Sequence, residues 1–322
     1  MKPSYTLQAM AIHKKPSLIK YWTPGYWPVW FLFGWLRSSL ILPMRWQIKI
    51  SKRIGRLLGR LLLKRRHIAE KNLEICFPKL SRKERDILIE KHFESMGAAF
   101  SEIAIGWFSS EQTVQKIVRI EGQEHLKKAL DKGKGVLLFC GHFTPLEIIY
   151  PALKPLCPKL TAMYRPMRNK LADEIMRRGR LRSFDELFSK YSVRDLVKSL
   201  NSNSAVMYLT DQCYTGKNSA LVPFFGEPAM TSTATTRLLN LSGATLLRVF
   251  YKRIEDDTGY VIKICPPLKN FPTDNPVQDT ATLMKELENY IRTCPEQYAW
   301  IHKRFKGRPE KYMDIYNQNN PH

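Results

Sequence analysis

The chain has 322 residues, 44% of them hydrophobic, with 52 Lys and Arg against 29 Asp and Glu, a formal net charge of +23 and a pI near 9.8. That length and apolar content suffice for one large core with an appended N-terminal element, and the absence of repeats and low-complexity runs excludes a solenoid or a disordered chain. So large a positive excess calls for an anionic partner, a demand that nucleic acid, anionic lipid or an acidic carrier protein would each meet.

Tyr26 to Met44 is apolar and Trp-rich (Trp27, Trp30, Trp35) but interrupted by Pro28, Arg37 and Pro43. It stands at the margin of the ~20 residues a spanning helix needs, so spanning and interfacial attachment both remain open. No small-residue cleavage motif follows, which argues against a removable signal peptide. From Arg45 to Arg66 the chain is dense in Lys and Arg without one acid, and the first acidic residue is Glu70. By the positive-inside tendency the folded domain faces the cytoplasm. Within that stretch Ile50, Ile54, Leu57, Leu58, Leu61 and Leu62 recur at helical spacing beside the basic face, the pattern of a helix lying on an anionic bilayer. The expected organisation is a tail and membrane anchor over residues 1–44 and a folded domain over 45–322, with 45–66 on the membrane surface.

Ser81 and Glu84 form a capping box that opens one long helix to Trp107. Strands and helices then alternate: strands at 117–120, 136–140, 160–164 and 205–210, with helices at 124–130, 145–156, 170–178 and 193–200. This alternation predicts an α/β fold, a mixed, mostly parallel sheet flanked by helices. A helix near 231–241, a hairpin of 244–254 with 260–265, and a final helix over 282–292 complete the expected elements.

The six cysteines lie far apart with no C-x-x-C pair and no His at metal spacing, so neither a zinc site nor any other cofactor is expected, and a reducing compartment is. Cys140, two residues before His142, reads as a packed strand side chain and not as a catalytic thiol.

The residues with the most chemistry lie at strand ends. Val136 to Cys140 is an unbroken apolar run, suited to a strand buried on both faces. His142 follows on the strand-to-helix turn, with Thr144 as the expected N-cap, Pro145 at the first helical position and Glu147 at the capping-box position. A Glu there folds its carboxylate back, so Glu147 is expected to hold one imidazole nitrogen of His142 and leave the other as a general base facing a cleft. The plainer alternative is a helix cap beside a solvated His. Arg165 ends the strand 160–164, on the same edge if the strands are parallel, as a cation for a phosphate or a developing oxyanion. Asp211 and Gln212 end the strand 205–210, able to orient groups or bind an acceptor; a simple turn toward Gly216 is the alternative for Asp211. Phe224 and Phe225 wall an apolar channel for an acyl chain, or else pack in the core.

Two function classes fit poorly. A serine hydrolase needs a nucleophile elbow, and no G-x-S-x-G occurs. A nucleic-acid binder would interleave its cations with aromatics on a folded face, whereas these cluster beside an apolar Trp-rich stretch.

The His-x4-Glu element of 142–147 resembles the signature of the glycerolipid acyltransferase superfamily. RRHIAEKNLEICFP (65–78), MYRP (163–166), DQ (211–212), VPFFG (222–226) and PEQYAWIHKRFK (295–306) narrow the resemblance to the bacterial lipid A biosynthesis acyltransferases, the late acyltransferases of lipopolysaccharide assembly, over about Tyr21 to about Arg308. The resemblance implies a glycerolipid acyltransferase-like fold and a lauroyl- or myristoyl-like chain passed from acyl carrier protein to a hydroxyl of a lipid A precursor at the cytoplasmic face of the inner membrane. It implies His142 as base and Glu147 as its partner, and Arg165 and Asp211 in the functional site. A phospholipid or glycolipid acyltransferase using acyl-CoA, and a basic anionic-ligand binder without catalysis, are the alternatives.

Overall fold

The computed structural model describes residues 17–189 and 192–316; the expected tail over 1–16 lies outside the described residues. The described chain opens with α1 (Trp27–Ser39) and α2 (Met44–Leu61). With 13 residues α1 is roughly 20 Å long, short of the ~30 Å hydrocarbon core of a bilayer. Among the described residues no helix is long and apolar enough to cross a membrane. The apolar stretch 26–44 is not one continuous helix: the helix stops at Ser39, and Pro43, which cannot continue it, stands as the N-cap of α2. One side of α1 packs on the protein, where Val29, Trp30 and Phe33 join a satellite cluster with Trp107 and Ile175, while Trp27, Phe31 and Trp35 stay exposed.

The apolar stripe of α2 faces outward. Leu57 is 57% and Leu61 66% exposed, whereas the inward face carries Ile48, Ser51, Gly55 and Gly59. Small residues are required there because α2 lies almost backbone to backbone against α4 (Arg82–Phe108): a Cβ on Gly97 would stand 2.1 Å from the Ser51 carbonyl oxygen, and one on Gly55 2.2 Å from that of Phe93. In sequence the two are joined through α3 (Leu63–Cys76). The start of α4 is the capping box read from the sequence, with Ser81 and Glu84 each accepting from the other's backbone N–H.

The centre is a seven-stranded sheet built from β1 (Val118–Glu121), β2 (Val136–Cys140), β3 (Leu160–Tyr164), β4 (Glu186–Ser189), β5 (Ala205–Leu209), β8 (Thr245–Arg253) and β9 (Tyr260–Ile264) in the order β1-β9-β8-β2-β5-β3-β4. All neighbours are parallel except the hairpin pair β8 and β9. The mixed, mostly parallel α/β sheet is thus as expected. All five side chains of β2 are fully buried, and each large one contributes about 1.5–3 kcal/mol through burial. Two strands of a separate hairpin, β6 (Ser219–Phe224) and β7 (Glu227–Ser232), lie where the sequence pattern marked none. The remaining helices are α5 (Glu111–Ile117), α6 (Gln123–Leu130), α7 (Leu146–Leu153), α8 (Lys170–Arg180), α9 (Val193–Asn201), α10 (Ala234–Ser242) and α11 (Pro276–Ile291).

Candidate active site

Strand register brings the chemistry together. Cys140 at the end of β2 pairs with Leu209 at the end of β5, so His142 and Asp211, each two residues further on, emerge side by side at the carboxyl edge of the parallel strands. That edge is where open α/β sheets bind ligands. Asp211 accepts from Nδ1 of His142 at 2.6 Å and from the His142 backbone N–H at 2.9 Å. Tyr298 lines the cleft beside the same carboxylate and favours its ionised form. Burial pushes the Asp211 carboxyl up, but the charge and hydrogen bonds of His142, with help from Tyr298, outweigh it and hold the group at about 2. Nε2 of His142 has no partner among the described residues, and the ring, with 30% of its side chain exposed, lines a small cleft together with Gln212, Trp300 and His302.

The carboxylate on the imidazole is therefore Asp211 and not Glu147, a correction with a local cause. The helix α7 begins one residue later than a capping box requires: Pro145 is its N-cap, with no side-chain cap bond. Thr144 is used otherwise, its hydroxyl meeting Ser95 at 2.7 Å and its N–H donating to the carbonyl oxygen of Gln297 at 2.8 Å. Glu147 then points behind the turn, where it accepts from Trp107 Nε1 at 2.6 Å and pairs with Arg180 at 2.5 Å. Gly106 lets α4 close on this point, since a Cβ there would stand 2.2 Å from the Glu147 carbonyl oxygen. Glu147 thus ties α4, α7 and α8 together beneath the histidine turn.

The other expected site residues divide. Gln212 is exposed and lines the cleft beside Asp211. Arg165 is exposed at the end of β3, on the carboxyl edge as expected because β3 and β5 run parallel, and has no ion-pair partner among the described residues. Asp173 nearby accepts from the backbone N–H of Met167 at 2.8 Å. Phe224 is fully buried against Tyr298 and Phe305, and Phe225, at φ +54°, is pinned by its N–H to Glu288; neither lines the cleft. Cys140 is fully buried, and burial pushes its thiol well above the usual range, so a thiolate there is disfavoured.

The sequence reading missed the C-terminal wall. Residues 297–299 pair with the histidine turn, through Phe143 with Tyr298 and through the Ala299 N–H donating to the His142 carbonyl oxygen at 2.9 Å. Arg304, buried beside them, spends its guanidinium on the Met230 carbonyl, the Thr231 hydroxyl and the Phe224 ring. The only signal was the block 295–306, which carried a resemblance but no residue role.

A histidine fixed by a carboxylate at Nδ1 presents Nε2 as a general base for a hydroxyl. With the Cys140 thiol buried and no serine elbow in the sequence, the pair is fitted to direct transfer between two substrates, the chemistry of an acyltransferase. Residues 14–307 match the family model described as bacterial lipid A biosynthesis acyltransferase, and the chain belongs to that family; it is an acyltransferase. It is 37% identical to the lipid A biosynthesis palmitoleoyltransferase of Escherichia coli K12 over 91% of this chain and 95% of that one. It is 33% identical to the lipid A biosynthesis lauroyltransferase of the same organism, over 89% and 94% of the two chains. The crystal structure of the 1-acyl-sn-glycerophosphate acyltransferase of Thermotoga maritima covers 74% of this chain and 97% of its own at 11% identity, with a TM-score of 0.34.

Proposed function

We propose that the protein transfers a fatty acyl chain from the thioester of acyl carrier protein to a hydroxyl of a lipid A precursor, at the cytoplasmic face of the inner membrane. The observation that carries this reading is the His142 and Asp211 pair, open to the cleft at Nε2. Nε2 takes the proton of the acceptor hydroxyl as its oxygen bonds to the thioester carbon; the tetrahedral intermediate collapses with loss of the C–S bond, and the sulfur takes the proton. Asp211 orients the ring and stabilises the imidazolium. Glu147 acts at one remove, by fixing the turn through Trp107 and Arg180. Gln212 and Arg165 lie toward the acceptor, Arg165 as a phosphate clamp.

Membrane attachment is interfacial in this reading. The outward residues Trp27, Phe31, Trp35, Trp46, Leu57 and Leu61 form an apolar surface along α1 and α2, flanked by the cations of 45–66. The basic surface elsewhere suits an acidic carrier protein.

The test is to incubate the full chain with lipid A precursor in vesicles and with acyl carrier protein loaded with chains of different length, and to read the mass of the lipid. A gain of one acyl group from the carrier thioester is expected. Gain from acyl-CoA alone would overturn the donor, and no gain from either would overturn the reading.

A further inference from the structure

His302 stands across the cleft from His142, and its ring is held in one orientation. Its Nε2 accepts from the backbone N–H of Cys213 at 3.2 Å, two residues after Asp211. Its own backbone is clamped by Asn72 of α3, whose Nδ2 donates to the carbonyl oxygens of Trp300 at 2.6 Å and His302 at 2.8 Å, while Tyr316 donates to Asn72 Oδ1 at 2.6 Å. An imidazole whose Nε2 accepts carries its proton on Nδ1. That N–H has no partner among the described residues and is open to solvent on a ring that lines the cleft. Burial, with Lys306 adding to it, lowers the ring to about 4, so it stays neutral near pH 7.

Such an imidazole is not a second base, because its acceptor nitrogen is occupied. We propose that His302 is the electrophilic partner of His142: its Nδ1–H donates to the thioester carbonyl oxygen as that oxygen becomes the oxyanion of the tetrahedral intermediate. No proton moves through His302; the electron pair displaced from the C=O bond rests on the oxygen while the hydrogen bond stabilises it, then re-forms the double bond as the C–S bond breaks. A neutral, preorganised imidazole is suited to this role, since its donor needs no reorganisation when charge develops. The inference rests on the acyl-transfer reading above.

Two substitutions separate the donor from the Cys213 contact. In His302→Gln the side-chain oxygen falls near the position of Nε2, keeping the acceptor for Cys213 and losing the donor. In His302→Asn the amide falls near Nδ1, keeping a donor and losing the Cys213 contact. With acyl carrier protein thioester and lipid A precursor, kcat of H302Q should fall about 100-fold with KM and Tm near wild type, and H302N should retain more activity than H302Q. H302Q with near-native kcat overturns the assignment, as does H302N no more active than an H302Q whose Tm has dropped. A wild-type chain that transfers nothing overturns the parent reading and this one with it, whereas an active wild type matched by H302Q overturns this one alone.

Discussion

Asp211 grips His142 twice, at the ring Nδ1 and at the backbone N–H, so one buried carboxylate sets both the orientation of the imidazole and the turn that carries it. An amide in its place favours the wrong imidazole tautomer and cannot stabilise imidazolium. Asp211→Asn should therefore lower kcat by on the order of 100-fold or more with acceptor KM little changed. Steady-state kinetics on folded protein decide it; a near-native kcat would remove Asp211 from the mechanism.

The same carboxylate marks the acid limit of the fold. Asp211 is held at about 2 against an ordinary 3.8, so its contribution to stability is complete above pH 3.8 and is lost as pH falls toward 2. Thermal melts of wild type should drop more steeply across that window than those of Asp211→Asn, which lacks the titrating group. Parallel curves would mean that the His142 contact does not favour the ionised carboxylate.

Glu147 should behave as a brace. Glu147→Gln leaves Arg180, whose side chain is 17% exposed, without its carboxylate, and breaking a buried pair costs about 3–5 kcal/mol, with partial exposure placing this one at or below the lower end. Replacing both partners, Glu147→Gln with Arg180→Met, should recover much of that stability in denaturant titration. If Glu147→Gln lost activity with no change in stability, a direct role on the histidine would be reinstated.

The difference between Glu147 and Asp211 also marks what the sequence can and cannot carry. β2 and β3 were legible to the residue because unbroken apolar runs between polar ends admit little else, and His142 could be placed from the end of β2 alone. Its partner could not. Asp211 lies 69 residues away in sequence, and only the parallel register of β2 with β5 sets the two side by side. The capping-box reading of Glu147 relied on Thr144 starting the helix, but Ser95 and Gln297, both distant in sequence, claim Thr144 first. The hairpin of β6 and β7 escaped because each strand carries a proline, a residue that argues against strand; here Pro223 and Pro228 face each other in the register. β4 escaped because its four residues, ELFS, carry too little pattern to register.

The proposed membrane contact through α2 makes a separate demand. Leu57 and Leu61 point outward, and the packing against α4 is made by glycines, so Leu57→Asp with Leu61→Asp should leave Tm within a few degrees while reducing co-sedimentation with anionic vesicles several-fold. Wild-type binding should weaken as salt is raised, because Arg53, Arg56 and Arg60 lie beside the stripe. Binding that survives both the aspartates and the salt would place the contact elsewhere. By contrast Gly97→Ala, which forces a Cβ to 2.1 Å from the Ser51 carbonyl oxygen, should destabilise the fold outright.

Arg165 separates a clamp from a catalyst. It is exposed at the end of β3, the strand beyond β5 from the histidine, and no acid neutralises it among the described residues, so its charge is available to a ligand. A cation at that remove from Nε2 acts on binding more than on the reacting carbonyl, which the proposed mechanism puts beside His142 and His302 in the cleft they line. Arg165→Ala should accordingly raise the KM for a phosphorylated acceptor about tenfold, the usual scale for one charge-assisted contact, and leave kcat within a few-fold. Arg165→Lys should recover part of the affinity, because an ammonium keeps the charge but cannot reproduce the two-pronged guanidinium contact. Removing the acceptor's phosphates should abolish the difference between wild type and Arg165→Ala; if the difference persisted, the arginine would be meeting some other group, and the acceptor would lie differently across the sheet edge.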